Sequence, residues 1–324
     1  MRTKVKTLGS WFAVILSIAF IISSCKKPVE KKVKLGYVST GITGLSVQIM
    51  QDQAIPQKHG LQIEYIGFID PSALNNAFVL GICDVNIAAG ANVVALARSQ
   101  GRKIQYFFPT LLNSCSLLVR KDSSAQNLFD LKGKKIGWYG LQSGGGIGFY
   151  VLAKKQGLDA LKDFHMIDTK APSLWPLLDK GDVEGVVIYE PFVSRMLATG
   201  KFRELLGPFW RTWEIDTGNK MEMCGFAAPE DWLDKNSETA QRLIACWKDV
   251  AKYIKSSAPD SLAKYAKFTN IQTDEEKRLG IERIPTIVTQ SWEGFDKSIS
   301  ETLKILSENK ILESLPEGVI RKIE

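Results

Sequence analysis

The sequence predicts an α/β protein built as two lobes with a ligand cleft between them. Two observations lead there. Strand-like and helix-like stretches alternate along almost the whole chain, the pattern of βαβ units and mostly parallel sheets with helices on both faces. The alternation also runs as two series. The chain crosses near Ser116–Arg120 and returns near Arg211–Glu222, so the second series is inserted into the first. Ligands in open α/β sheets sit beyond the carboxyl ends of the strands, so the strand-end loops of both series are expected to face one cleft.

Residues 1–24 read as a signal peptide. Arg2, Lys4 and Lys6 make a positive start, and Leu8 to Ile22 is an apolar run too short for an ordinary membrane span. It ends in Ile22-Ser23-Ser24-Cys25, which resembles a bacterial lipobox: an aliphatic residue, two small ones that fit a peptidase site, and a thiol that carries lipid. Cys25 is therefore the expected lipidated N-terminus of the mature chain. The alternative is an uncleaved anchor helix. Residues 25–32 form a short polar tether. A protein so processed is exported and held on a bacterial membrane, where ATP and NAD are scarce.

Composition is that of a globular body, with 45% hydrophobic and 24% charged residues. The net charge of +7 includes the three positives of the signal peptide, and the remainder is too small to indicate nucleic acid. Cys83, Cys115, Cys224 and Cys246 form no C-x-x-C pair and have no metal-ligand spacing. They read as small buried residues. An exported location permits a Cys115–Cys224 disulfide, but nothing demands one.

The elements follow in order. Val33 to Val38 is a buried strand, and Gly44 to Lys58 a helix ended by Gly60. Leu61 to Ile66 alternates as a strand does. Asp70-Pro71 pairs an N-cap with a first-turn proline and opens a helix to Leu80. Asp84 to Ala88 is a strand, Asn92 to Ser99 a helix and Lys103 to Phe108 a strand. The second series begins with Ser116 to Arg120, then a strand after Leu128 to Gly137, and a helix from Ile147 to Gln156. Phe164 to Asp168, Pro172 to Leu178 and Val183 to Tyr189 continue as strand, helix and strand, and Glu190-Pro191 opens another helix. Met221 to Ala228 is a strand, and the rest is largely helical. Ala240, Leu243, Ile244, Trp247, Val250 and Ile254 share one apolar face, as do Val288, Trp292, Phe295, Ile299, Leu303 and Leu306.

The ordered pieces resemble the bacterial solute-binding proteins of ABC importers. Within them, the chain is similar to the nitrate/sulfonate/taurine group with its thiamine-pyrimidine-precursor branch. The matching stretches are the lipobox, Leu35-Gly36-Tyr37-Val38, Gln57-Lys58-His59-Gly60-Leu61, Leu131 to Gly137, and Lys180 to Gly185 leading into Tyr189-Glu190-Pro191. Each motif is loose; their order over essentially the whole mature chain carries the likeness. The cysteine-rich signature of the eukaryotic pyrimidine-synthesis branch is missing. The resemblance implies a type II periplasmic-binding-protein fold, with residues 33–118 and 220–324 in lobe 1 and 119–219 in lobe 2. It also implies a monomer that serves a membrane permease and its ATPase, with no cofactor and no metal.

The ligand-binding candidates are Ser39, Thr40, Gly41, Gly90, Asn92, Ser143, Gly144, Gly145, Gly146, Tyr189 and Glu190. The glycine-rich turn at Ser143 to Gly146 fits neither G-x-G-x-x-G nor the phosphate loop. It either lets a ligand approach the backbone or is a bare turn. Glu190 either accepts hydrogen bonds from a ligand or is a helix N-terminal acid. Asn92 either reaches the cleft or caps its helix. The hydroxyls of Ser39, Thr40 and Thr43 serve the ligand or ordinary turn chemistry. Trp138, Tyr139, Trp175, Tyr189, Trp210 and Trp213 offer stacking surfaces or core packing.

His59 and His165 have no neighbours that suggest a nucleophile or a metal cluster, so a transport receptor is favoured over an exported enzyme on the same fold or a sensor for a membrane kinase. The strand-end loops hold no arginine, Lys170 is their only cation, and Glu190 would repel an anion. A small organic solute with a flat or polar ring is therefore expected, with a sulfonate or nitrate on the glycine N–H groups as the alternative.

Overall fold

The computed structural model describes residues 31–257, 263–265 and 270–323. The signal peptide, Cys25 and most of the tether lie outside the described residues.

The first run of elements is β1 (Lys31–Val38), α1 (Ile42–Asp52), α2 (Ile55–Lys58), β2 (Leu61–Phe68), α3 (Pro71–Val79), β3 (Val85–Ala89), α4 (Ala91–Ser99) and β4 (Ile104–Leu112). The second is β5 (Ser116–Arg120), β6 (Lys135–Trp138), α5 (Gly144–Lys155), α6 (Ala160–Asp163), β7 (His165–Asp168), α7 (Ala171–Lys180), β8 (Gly185–Ile188), α8 (Phe192–Ala198), β9 (Phe202–Leu206) and α9 (Phe209–Thr217). The chain then returns through β10 (Glu222–Pro229), α10 (Glu230–Lys235), α11 (Ser237–Ser256), α12 (Asp274–Ile287) and α13 (Asp296–Glu308).

The strands form two five-stranded sheets, ordered β2-β1-β3-β10-β4 and β7-β6-β8-β5-β9. Both are mixed. In each, the fourth strand runs antiparallel to its neighbours and is the one that has just arrived from the other sheet: β10 between β3 and β4, and β5 between β8 and β9. The remaining pairings are parallel, as βαβ crossovers require.

β5 pairs within the second sheet from Ser116 onward, so the first crossing lies at Asn113–Cys115, ahead of residue 118. The two crossings are laced together. Asn113 N–H donates to Met221 O at 2.9 Å, and Trp210 N–H donates to Asn113 O at 3.0 Å.

Several element boundaries shift for local reasons. The expected helix over Gly44–Lys58 breaks at Ala54, which is left-handed at φ 49, ahead of Pro56. The helix after the glycine turn starts at Gly144, because Ser143 caps it and accepts from Gly146 N–H at 3.1 Å. The apolar face from Val288 to Leu306 is not one helix. Gly294 sits at φ 83, and α13 begins only at Asp296. β9 and α9 carry no strong periodicity and were not expected. The α11 stripe is core, with Ala240, Leu243, Ile244, Trp247, Val250 and Ile254 all buried.

Candidate functional site

The carboxyl ends of β1 and β3 face the first turn of α5 and the end of β8 across a cleft. Val38, Gly41, Ile42, Thr43, Pro71 and Ala88 form one wall, and Tyr139, Ser143, Gly144, Gly145, Tyr189 and Glu190 the other. Leu111, Ser114, Met223 and Cys224, from the strands and loops at the crossings, close the floor. The cavity between them is about 30 Å³, room for one or two water molecules. An open basin of about 750 Å³ lies at its mouth, between Asp70–Ser72 on one side and residues 138–142 and 168–173 on the other.

Two hydrogen bonds join the walls directly. Thr40 Oγ1 lies 3.1 Å from Tyr189 Oη, and Asn75 Nδ2 donates to Gln142 O at 3.0 Å. Asn75 is held in turn by Asn86, which is fully buried and donates Nδ2 to Asn75 Oδ1 at 2.9 Å. Each such bond contributes about 1 kcal/mol to holding the walls together.

Of the sequence candidates, Gly41, Ser143, Gly144, Gly145, Tyr189 and Glu190 line the cavity. Thr40 meets it only through Tyr189. Ser39 is turned onto its own lobe, donating Oγ to Phe68 O at 3.0 Å. Gly90 and Asn92 sit beside the cavity, with Gly90 against the Asn92 side chain and Met223 O, and Gly146 is packed on Gly140 O. Of the aromatic residues named as possible stacking surfaces, Tyr139 and Tyr189 belong to the lining; Ser114 and Met223 join it without any motif that marks them, and only the fold brings them there.

The glycines of the turn serve close packing. A Cβ at Gly144 would lie 1.7 Å from Met223 O, and one at Gly145 would lie 1.8 Å from Tyr139 Oη. Both residues have ordinary helical backbone, so size is the requirement rather than conformation. Their N–H groups, at the first helical positions, have no acceptor within the helix.

Glu190 is 1% exposed, and both its oxygens are engaged. Oε1 accepts from Arg283 Nε at 2.5 Å, and Oε2 accepts from Ser194 Oγ at 2.7 Å and Ser194 N–H at 3.2 Å. The acceptor role toward a ligand is thus already filled by the protein. Burial pushes the Glu190 carboxyl up, against the pull of Arg283 and Ser194. Burial would lower the Arg283 guanidinium, but Glu190 and Glu204 outweigh it and hold it above its usual value. Arg283 lies far along the chain on α12, and no local pattern points to it.

Cys115 and Cys224 are free thiols, so the disulfide that the sequence leaves open is not formed. Cys115 Sγ lies 2.8 Å from Tyr139 Oη. Burial pushes its thiol up to about 12, against that hydrogen bond, so it carries no thiolate at neutral pH. Among the described residues, no group of three or more His, Cys, Asp and Glu side chains is placed to hold a metal ion.

A family model described as the NMT1-like family matches residues 26–270, more than half of the chain. The chain belongs to the NMT1-like family. No curated protein sequence matches this NMT1-like chain. Among solved structures, a Bordetella bronchiseptica RB50 protein superposes with a TM-score of 0.72 at 21% identity, covering 85% of this chain and 88% of that one. The alkanesulfonate-binding protein SsuA of Xanthomonas axonopodis pv. citri, bound to MOPS, superposes with a TM-score of 0.74 at 16% identity, covering 90% and 99%. The periplasmic nitrate-binding protein NrtA of Synechocystis PCC 6803 gives 0.60 at 14% identity, covering 79% and 69%. At these identities the likeness is one of fold: this NMT1-like protein has the type II periplasmic-binding-protein architecture.

Two outcomes are expected. Gly144→Ala should destabilise the protein by about 1–3 kcal/mol, read from urea unfolding, because backbone rather than a mobile side chain blocks the added methyl. The second concerns Glu222, which is half-buried overall with its carboxyl enclosed at the start of α4, accepting from Ala91 N–H at 3.1 Å. Burial pushes its carboxyl from 4.5 up to about 7, against the Ala91 bond. Between those values the folded chain keeps a proton that the unfolded chain has lost, so stability falls as pH rises through the window and then levels. Glu222→Gln should flatten that slope and raise stability at pH 8 by about 2 kcal/mol, with little change at pH 4.5.

Proposed function

We propose that the protein is the extracytoplasmic solute-binding component of an ABC importer, capturing a small organic solute between two lobes and passing it to a membrane permease driven by an ATPase. The observation that carries this reading is the cavity itself. Its walls come from both sheets and are joined by the Thr40–Tyr189 and Asn75–Gln142 bonds. A cavity of about 30 Å³ cannot admit an organic molecule unless the walls part. Two crossings placed side by side supply the hinge for that motion. The NMT1-like family and the shared fold with sulfonate- and nitrate-binding proteins support the same role. In this reading, lobe 1 runs from residue 33 to the crossing at Asn113–Cys115 and from 220 to 324, with lobe 2 between. The protein does no bond-making chemistry and acts as a monomer.

The lining favours a flat or weakly polar solute. Val38, Ile42, Leu111 and Met223 are apolar, Tyr139 and Tyr189 supply rings, and Thr43, Ser114 and Ser143 supply hydroxyls. A sulfonate is the second reading, favoured by the Gly144 and Gly145 N–H groups at the start of α5. Export and lipid anchoring through Cys25 complete the proposal, with the ligand-binding set centred on Gly41, Ser143, Gly144, Gly145 and Tyr189.

A thermal-shift screen of sulfonates, nitrate, pyrimidines and related vitamin precursors tests the function. A cognate solute at about a hundred times its Kd should add about 2.7 kcal/mol of stability. A screen in which none of these classes shifts the unfolding transition would count against this reading, and turnover of the solute would favour an enzyme. Cys25→Ser should block processing and keep labelled palmitate off the protein; label entering that variant would reject the anchor.

A further inference from the structure

α12 is fixed to one sheet by its end and to the other by its side chains. Just past its C-terminus, Val288 bridges Leu111 of β4. Thr289 N–H donates to Thr110 O at 2.9 Å, Thr289 Oγ1 donates to Pro109 O at 2.6 Å, and the buried Trp247 of α11 donates Nε1 to Thr289 O at 2.8 Å. These contacts belong to the first sheet and its helices.

The body of α12 packs along α8 of the second lobe as well as against α11 of the first. Arg283 Nε bonds Glu190 at the end of β8, and its Nη2 donates to Glu204 Oε1 of β9 at 2.7 Å. Ser116, the first residue after the crossing, donates Oγ to the same Glu204 oxygen at 2.6 Å. Arg195 of α8 lies 3.7 Å from Glu276 of α12.

We propose that Arg283 is a hinge latch: it ties α12, anchored on the first sheet, to Glu190 and Glu204 of the second, holding the lobes together and Glu190 turned onto the hinge side of the cleft. The inference rests on the two-lobe binding reading, because the motion it restrains is the one that admits solute. α12 is then a non-covalent connection beside the two crossings, as is the Lys155–Glu301 pair of α5 and α13 at 2.8 Å. Parting the lobes must break either its attachment to β4 or its ion pairs. The attachment is backbone pairing sealed by buried Trp247. The ion pairs border a chamber of about 210 Å³, lined by Glu190, Trp210, Arg211, Arg283 and Ile287, from which water can solvate the charges as they separate. Ser114 and Glu190 line both this chamber and the cleft cavity, so the latch lies directly behind the solute. Arg283 suits the task because a guanidinium can bond two carboxylates at once.

The test measures the distance between spin labels at Ile69→Cys and Leu161→Cys, exposed positions on opposite lobes. It uses the full chain carrying Cys25→Ser, so that the remaining cysteines are the buried ones. No solute is added. Wild type should give mainly the short distance. Arg283→Met should raise the long-distance fraction at least about tenfold, Glu204→Gln should raise it less, and Arg283→Lys, which keeps the charge but not the fork, should fall between wild type and Arg283→Met. A folded Arg283→Met with an unchanged distribution overturns the latch, as does Arg283→Lys behaving like wild type. If Arg283→Met does not fold, Glu204→Gln decides: an unchanged distribution overturns the proposal, and a longer one supports it. Failure of the solute screen with a working latch rejects only the binding reading; a binder found with an inert latch rejects only this inference.

Discussion

The architecture depends on how closely the first turn of α5 approaches the two crossings. Gly144 stands so near Met223 O that no side chain fits between them, and Gly145 stands against Tyr139 and Cys115. Gly148, one turn on, leaves room for Asn113, whose Nδ2 donates to Gly144 O at 3.0 Å. The four glycines of α5 make it an intrinsically weak helix, since a glycine in a helix interior costs roughly 1 kcal/mol relative to alanine. They are tolerated because the helix can then seat its N-terminus on the strands that pass between the lobes. The floor of the cleft, the position of Tyr139 and the spacing of the walls all follow from that contact.

Charge is the second constraint. The cleft contains one fully buried carboxylate, Glu190, and the fold answers it from within. Arg283 and Ser194 occupy both oxygens, and Arg283 is shared with Glu204. A bare buried carboxylate would cost several kcal/mol, so these partners are a condition of the site existing at all. The cleft consequently offers hydroxyls, aromatic rings, methyl groups and helix N–H donors rather than an open charge. That surface discriminates by shape and by a few directed hydrogen bonds.

The exchanged strands explain how the two halves are joined. Each sheet takes its fourth strand from a segment that has just left the other sheet, so the crossings run out of sheet interiors. Bonds such as Asn113 N–H to Met221 O keep the crossings parallel and close. The connection between the halves is thereby confined to a few residues between two intact sheets.

Much of the fold is legible in the sequence, because its signals are local. The Asp70-Pro71 cap, the strand alternation at Leu61, the stripe on α11 and the left-handed glycines that end helices each act within a few residues. The loops beyond β1 and β8 and the glycine turn could be named as cleft candidates on the same grounds. Other features are decided by contacts between distant segments. β5 and β10 run antiparallel because each enters from the opposite lobe, which no strand pattern encodes. Gly90, Asn92 and Ser39 satisfy the same local rules as Gly41 and Ser143 yet fall outside the cavity, since only the packing of one lobe on the other selects which loops meet. Glu190 looks like an open acceptor in the sequence and is a closed one in the fold, because its partner comes from 93 positions away. The sequence by itself determined most of the elements, their order and the two-lobe plan, through short-range backbone preferences and hydrophobic periodicity. The tertiary structure decided which polar groups face the cleft and which face each other, because that depends on long-range burial, where every charge needs a partner.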